Sequence, residues 1–347
     1  RYWRDWSSDV CSSDLHATGH KYPHPGCRDA GRHSVAALPR TRPVMTPSGM
    51  NPMKRPSVLP ALFVCLAAAV PLWAADDSFD SKGVNIRYVT AGTGEAVVLI
   101  HGWMADSGMW GKDASGESRL NTAGAEGFQF IALDCRGHGK SGKPHDPDRY
   151  DAEVAMDVVR LLDHLKIGKA HLVGYSSGAF VAGKVAAAHP ERVLSVVFGG
   201  QAPVIGEVRE ADFSQIELFA RLVDEGKDLG EYLLAVTPKQ FQLTREQATA
   251  IARLSYGGKD VKAFALAGRG YKKLAVTADE LKKCRAPMLF IHGANESDHV
   301  KSKVAAAREA LGRGELKVIE GADHMTTLTK PEFRAALLEF LRAHGAR

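Results

Sequence analysis

The 347-residue sequence predicts an α/β fold: a doubly wound, mostly parallel sheet with an inserted helical cap. Three observations predict it. From residue 83 onward, short apolar runs alternate with amphipathic stretches of helical period. The central apolar runs are continuous, as in strands covered on both faces. The alternation then breaks over residues 203–284 and resumes after them.

Residues 1–52 read as a non-native or disordered leader. Ser7-Ser8-Asp9 is echoed by Ser12-Ser13-Asp14, and residues 9–15 back-translate to a stretch resembling a sequencing-adapter oligonucleotide. Residues 16–52 are rich in His, Pro, Gly and Arg, and His16, His20, His24 and Cys27 have no recognised zinc spacing. Residues 53–75 have the layout of a secretory signal peptide. Met53-Lys54-Arg55 is positive, residues 58–72 are apolar, and Ala74-Ala75 supply small residues before Asp76-Asp77. An uncleaved anchor is the competing reading, weakened by a barely sufficient apolar length and by Pro60 and Pro71. The expectation is an exported protein, periplasmic or secreted, whose folded part is residues 76–347. No stable membrane span is expected after cleavage.

Nine of the 45 basic and four of the 40 acidic residues fall in the first 75 positions, so the remainder carries 36 of each. A nucleic-acid binder carries its basic excess on the folded part, and that class is set aside. Cys135 and Cys284 remain in the folded part and are read as free and structural.

Strands are expected at 84–90, 96–100, 128–133, 170–173, 193–198, 288–291 and 316–319, where apolar residues cluster in short runs. Helices are expected at 152–165, 177–188, 300–311 and 331–344. The second is rich in small residues, with Ala179, Val181, Ala182 and residues 185–188 suiting it to close packing. The cap, about residues 203–284, shows helical stretches at 213–223, 229–235 and 244–254 and no convincing buried strand.

Gly174-Tyr175-Ser176-Ser177-Gly178 matches G-x-S-x-G between a buried strand and a helix start. The turn must be sharp, and the two glycines remove side chains where strand and helix backbones nearly collide. Ser176 is the candidate nucleophile. The N–H of Ser177 lies at a helix N-terminus, where orphan donors and the dipole favour an anion. His101-Gly102-Trp103 follows the strand at 96–100, and the N–H of Trp103 is the second candidate oxyanion donor. His101 reads as a structural hydrogen-bonder. Trp103, Met104 and Trp110 are candidates for walling the pocket, with core packing equally open for Trp110.

A serine hydroxyl needs a base to take its proton. His324 follows the strand at 316–319, at a sheet edge near the chain end. It is the candidate base, while His292-Gly293 suggests a second structural His-Gly turn. The acid that orients the imidazole should come from residues 293–300, where Glu296 and Asp298 compete.

These residues resemble the α/β-hydrolase-fold family, of the serine hydrolase or esterase type with a helical cap, over about residues 83–344. Asp134-Cys135-Arg136-Gly137-His138-Gly139-Lys140-Ser141 is similar to the family's D-x-R-G-x-G-x-S turn, which implies structural roles for Asp134 and Arg136. Gly321-Ala322-Asp323-His324 resembles the family's G-x-G-H, with Asp323 in place of glycine. The family's Gly-x-x-Asp would seat Glu296 as the acid. Asp298-His299-Val300-Lys301, however, resembles an Asp-Pro-Ile-Lys continuation in a loop two residues longer, and aspartate is the commoner acid, so Asp298 is favoured over Glu296.

The resemblance implies hydrolysis of a small to medium carboxylic ester through an acyl-enzyme, with no metal or organic cofactor and a small molecule as the partner. Serine as nucleophile speaks against the family's epoxide hydrolases and haloalkane dehalogenases, which use aspartate. C–C bond or amide hydrolysis and cofactor-free perhydrolysis remain alternatives on the same triad. A slow-turnover ligand-binding protein is the alternative of another class.

Overall fold

The computed structural model describes residues 73–111, 125–237 and 243–345. The expected leader and nearly all of the expected signal segment lie outside the described residues. Eight strands form one sheet: β1 (Trp73–Asp80), β2 (Asn85–Gly92), β3 (Gly94–Ile100), β4 (Gly127–Leu133), β5 (Ala170–Tyr175), β6 (Val193–Gly199), β7 (Met288–Gly293) and β8 (Glu315–Ile319). Their order across the sheet is β1-β2-β4-β3-β5-β6-β7-β8. β1 and β2 pair antiparallel with each other and β2 antiparallel with β4, while every pair from β4 to β8 is parallel.

The continuous apolar runs fill both faces of this sheet. Val98, Ile100, Ile131 and Leu172 face one apolar cluster, and Val97, Leu99, Phe130 and Val173 face the other. Period-two alternation sends neighbours to opposite faces, so a strand with helices on both sides has no polar positions to spare. Helices α1 (Glu153–His164), α2 (Ser177–Ala188), α8 (Asp298–Leu311) and α9 (Pro331–Ala343) flank the sheet. The first two and α8 bury their apolar residues with the first cluster, and α9 packs Phe333, Leu337 and Leu341 into the second.

The sequence pattern did not predict β1, whose polar residues hide it. Its register against β2 is held partly by charge: the Asp76 carboxylate accepts from Arg87 Nε at 2.6 Å and from Lys140 Nζ at 2.8 Å. Those two cations hold the Asp76 carboxyl well below its usual range.

The insertion carries α3 (Ser214–Asp224), α4 (Gly230–Val236), α5 (Arg245–Tyr256), α6 (Val261–Gly270) and α7 (Ala278–Lys283). The first four build a cluster of their own around Phe219, Tyr232, Ala248 and Phe264. α7 lies inside the expected cap range, yet its Leu281 joins the main core. The feet of the insertion are pinned by a parallel bridge, with Val276 N–H donating to the Val204 carbonyl at 3.0 Å and Gly206 N–H to that of Val276 at 2.8 Å. No described helix is long and apolar enough to cross a membrane.

Arg136 and Asp157 form a buried pair under the D-x-R-G-x-G-x-S turn. Asp157 accepts from Arg136 Nε at 2.7 Å, Arg136 Nη2 at 2.5 Å and Ser81 Oγ at 2.6 Å. The remaining Arg136 nitrogen donates to the Arg149 carbonyl at 2.7 Å. Asp157→Ala would leave a buried guanidinium without its counter-charge. It is expected to lower the unfolding free energy by about 3–5 kcal/mol in urea titration, and a loss below about 1 kcal/mol would contradict the structural role.

Asp134 braces the same turn, accepting from the N–H groups of Ser107 at 2.7 Å and Lys140 at 2.8 Å. Burial alone would raise its carboxyl pKa, but these donors hold it below the ordinary value.

Candidate active site

The site begins where β5 becomes α2. Ser176 occupies that corner with φ 55° and ψ −124°, in a region that L-residues rarely adopt. Such strain persists only where the surroundings over-determine it, and here the packing does so. A Cβ on Gly174 would lie 2.2 Å from the Gly178 carbonyl oxygen, and one on Gly178 would lie 2.1 Å from that of Ile100. Strand β5, helix α2 and strand β3 thus touch backbone to backbone around the serine. Ser176 N–H donates to the Gly199 carbonyl of β6 at 2.8 Å, and Ala179 N–H to the Ser176 carbonyl at 2.9 Å.

The loops after β7 and β8 bring the other two groups. Ser176 Oγ lies 3.0 Å from His324 Nε2, and His324 Nδ1 lies 2.9 Å from Glu296 Oε2. With the carboxylate accepting from Nδ1–H, Nε2 is left to accept the serine proton; the tautomer follows from the network. Glu296 is buried, and its second oxygen accepts the Ser297 N–H at 2.9 Å.

The expectation that favoured Asp298 is corrected here. Asp298 is the first residue of α8; its side chain is fully exposed and lies 3.0 Å from Lys301 Nζ. The helix buries Val300, Val304, Ala307 and Leu311, and residue 298 sits about 200° from Val300 around its axis. The loop is not lengthened: Glu296 stands three residues after Gly293, at the spacing that the shorter reading required. Gly293 is packed so closely that a Cβ would lie 2.1 Å from the Ala322 carbonyl oxygen. Asn295 N–H donates to that same carbonyl at 2.8 Å, which lashes the loop of Glu296 to the loop of His324.

Asp323, which stands where the resembling family has glycine, does not adopt a positive φ. Its carboxylate instead accepts from Met325 N–H at 3.0 Å, Thr326 N–H at 2.9 Å and Thr326 Oγ1 at 2.7 Å. The substitution trades backbone freedom for a side chain that caps the turn after His324. The positive φ falls two residues earlier, on Gly321 at 63°.

The candidate oxyanion donors flank the serine. A Cβ on Gly102 would lie 3.1 Å from Ser176 Cβ, so the chain entering Trp103 passes directly beside the hydroxyl. Ser177 opens α2, where an N–H has no intrahelical acceptor. The Trp103 indole points into the cap: Nε1–H donates to the Phe264 carbonyl of α6 at 2.8 Å, and the ring meets Phe219 edge-on at 5.3 Å.

Other sequence candidates have structural places. His101 is buried, its Nδ1 2.7 Å from the Gly102 carbonyl and its Nε2 accepting the Cys135 N–H at 2.9 Å. Burial holds its pKa below the ordinary value. His292 repeats the pattern, with Nδ1 2.9 Å from the Gly293 carbonyl. Trp110 packs in the core with Phe128 and Phe130. Cys135 and Cys284 are both buried and free.

Sequence reading did not single out Tyr175, whose hydroxyl donates to the His324 carbonyl at 2.6 Å. It occupies the variable second position of G-x-S-x-G, where the motif alone carries no signal. The arrangement as a whole can deprotonate a hydroxyl, orient the imidazole that takes the proton, and receive negative charge at a helix N-terminus.

Known proteins match this chain along most of its described length. The family model described as alpha/beta hydrolase fold matches residues 95–331. The 2-(acetamidomethylene)succinate hydrolase of Mesorhizobium japonicum is 30% identical over 284 residues, covering 78% of this chain and 98% of its own. An epoxide hydrolase of Caballeronia sordidicola is 26% identical over 253 residues, covering 72% and 71%. A crystal structure from work on carboxylesterases of Nitrososphaera gargenis shares the fold, with a TM-score of 0.62 at 22% identity and coverage of 77% and 98%. With the family match lying across the parallel strands of this sheet, its serine corner and the loops after β7 and β8, the chain belongs to the alpha/beta hydrolase fold family.

Proposed function

We propose that the protein is a serine hydrolase that cleaves small to medium carboxylic esters through an acyl-enzyme, with Ser176, His324 and Glu296 as its triad. The observation that carries this reading is the continuous chain Ser176 Oγ–His324 Nε2 at 3.0 Å and His324 Nδ1–Glu296 Oε2 at 2.9 Å. Ser176 Oγ bonds to the ester carbonyl carbon while its proton passes to His324. The proton then goes to the departing alkoxide. Water repeats the sequence in reverse and frees the acid. Glu296 holds the tautomer and stabilises the imidazolium. The N–H groups of Trp103 and Ser177 receive the oxyanion, each such donor being worth about 2.7–4 kcal/mol of barrier.

Two of the relatives are named epoxide hydrolases. Opening an epoxide through an ester intermediate needs a carboxylate at the nucleophile position, and here that position holds a hydroxyl. A fluorophosphonate probe tests the proposal. Prompt labelling at Ser176, lost in Ser176→Ala, together with turnover of members of an ester panel of varied chain length, is the expected result. A folded protein that is not labelled would favour a binding role. Labelling without ester turnover would move the reading to amide or C–C substrates, or to perhydrolysis.

A further inference from the structure

We infer that Tyr175 is a positioning residue that sets the distance between Ser176 and His324, an inference that rests on the hydrolase reading above. Tyr175 ends β5 and is the covalent neighbour of Ser176. Parallel pairing sets it opposite Gly199 of β6, and the Ser176 N–H closes on the Gly199 carbonyl at 2.8 Å. Its phenol is therefore mounted on the same rigid strand end that holds the nucleophile. At its far end the hydroxyl donates to the backbone carbonyl of His324 at 2.6 Å. That bond fastens the phenol to the loop that carries His324. Burial raises the phenol pKa, which keeps it protonated and donating.

Two neighbouring glycines supply an independent observation. A Cβ on Gly199 would lie 2.7 Å from Tyr175 Cδ2, and one on Gly200 would lie 2.8 Å from Cζ and 3.0 Å from the hydroxyl oxygen. Gly200 has a positive φ that accounts for glycine by itself, but Gly199 does not. What Gly199 provides is room for the ring. The ring's own packing, edge-on to Phe333 at 6.1 Å, would be met equally by phenylalanine. The hydroxyl therefore serves the loop of the base, not the core. Because His324 lies beyond the end of β8, on a turn with no strand to hold it, this tether joins base to nucleophile through one side chain.

Tyr175→Phe keeps the ring and removes the donor. With the best ester from the panel, kcat and the rate of fluorophosphonate labelling are expected to fall together by about 10- to 100-fold, as small displacements of reacting groups do. KM should stay within about threefold, because the substrate-facing groups are unchanged. Gly199→Ala keeps the hydroxyl but crowds the ring, and should show the same split. A folded Tyr175→Phe with kcat and labelling within about twofold of wild type overturns the inference. So does a change confined to KM. If Tyr175→Phe fails to fold while Gly199→Ala is folded and fully active, the phenol serves stability alone and the inference is again overturned. Wild-type protein that does not label at Ser176 overturns the hydrolase reading itself, and the inference falls with it.

Discussion

Ser176→Ala is expected to lower kcat for ester hydrolysis by about 10⁶-fold, with KM and the unfolding midpoint close to those of the wild type. In the proposed mechanism the serine hydroxyl oxygen forms and breaks the covalent bond, and alanine supplies no atom for that step. His324 would retain its bond to Glu296 but would have only water to activate. A residual rate over uncatalysed hydrolysis should persist, because the backbone donors of Trp103 and Ser177 still stabilise the oxyanion. Stability should hold because alanine at φ 55° is no more strained than serine there, and the hydroxyl's partner in the described residues is the half-exposed imidazole. Steady-state kinetics on a chromogenic ester decide it. A variant retaining more than about 1% of wild-type kcat would exclude Ser176 as the nucleophile.

The second large effect separates two carboxylates that lie two residues apart. Glu296→Ala should lower kcat by about 10⁴-fold, because the imidazole loses the acceptor that fixes its tautomer and stabilises its protonated form. Glu296→Gln should show a loss of similar order, as its amide can keep the shape of the contact but not the charge. Asp298→Ala should leave kcat within about twofold, since an exposed pair with a lysine one helical turn away contributes little. The reverse ranking, with Asp298→Ala disabled and Glu296→Ala active, would show that the loop rearranges in solution and would overturn the assignment.

The contrast between these residues shows how legibility varied along the chain. The serine corner was readable because its chemistry is compressed into five consecutive positions: glycines at 174 and 178 are demanded by backbone collisions that any strand-to-helix turn of this sharpness creates. Helix α2 was likewise predicted to its ends, as a stretch rich in small residues between that corner and His189-Pro190. The histidines at 101 and 292 were separable from His324 because each is followed by glycine, and in the folded chain each bonds its own turn. By contrast, β1 was missed because its edge position asks little of its side chains, and a sequence reader weighs apolar pattern. Helix α6 was missed with Gly268 and Gly270 near its end. These glycines lower helix propensity but allow close approach, Gly268 to the Trp103 ring and Gly270 to the Tyr150 backbone.

Local order could be read from the text because turns, caps and apolar period act between near neighbours, and the residue types needed are dictated by backbone sterics and by water. Those demands were enough to define the parallel strands, three of the inserted helices, the serine corner and the histidine beyond the last strand. The choice between Glu296 and Asp298, and the part played by Tyr175, required the folded chain. Each depends on which way a side chain points once two distant loops have docked. Both Gly293 pressed against Ala322 and α8 turning its first residue to solvent are consequences of packing between segments far apart in sequence.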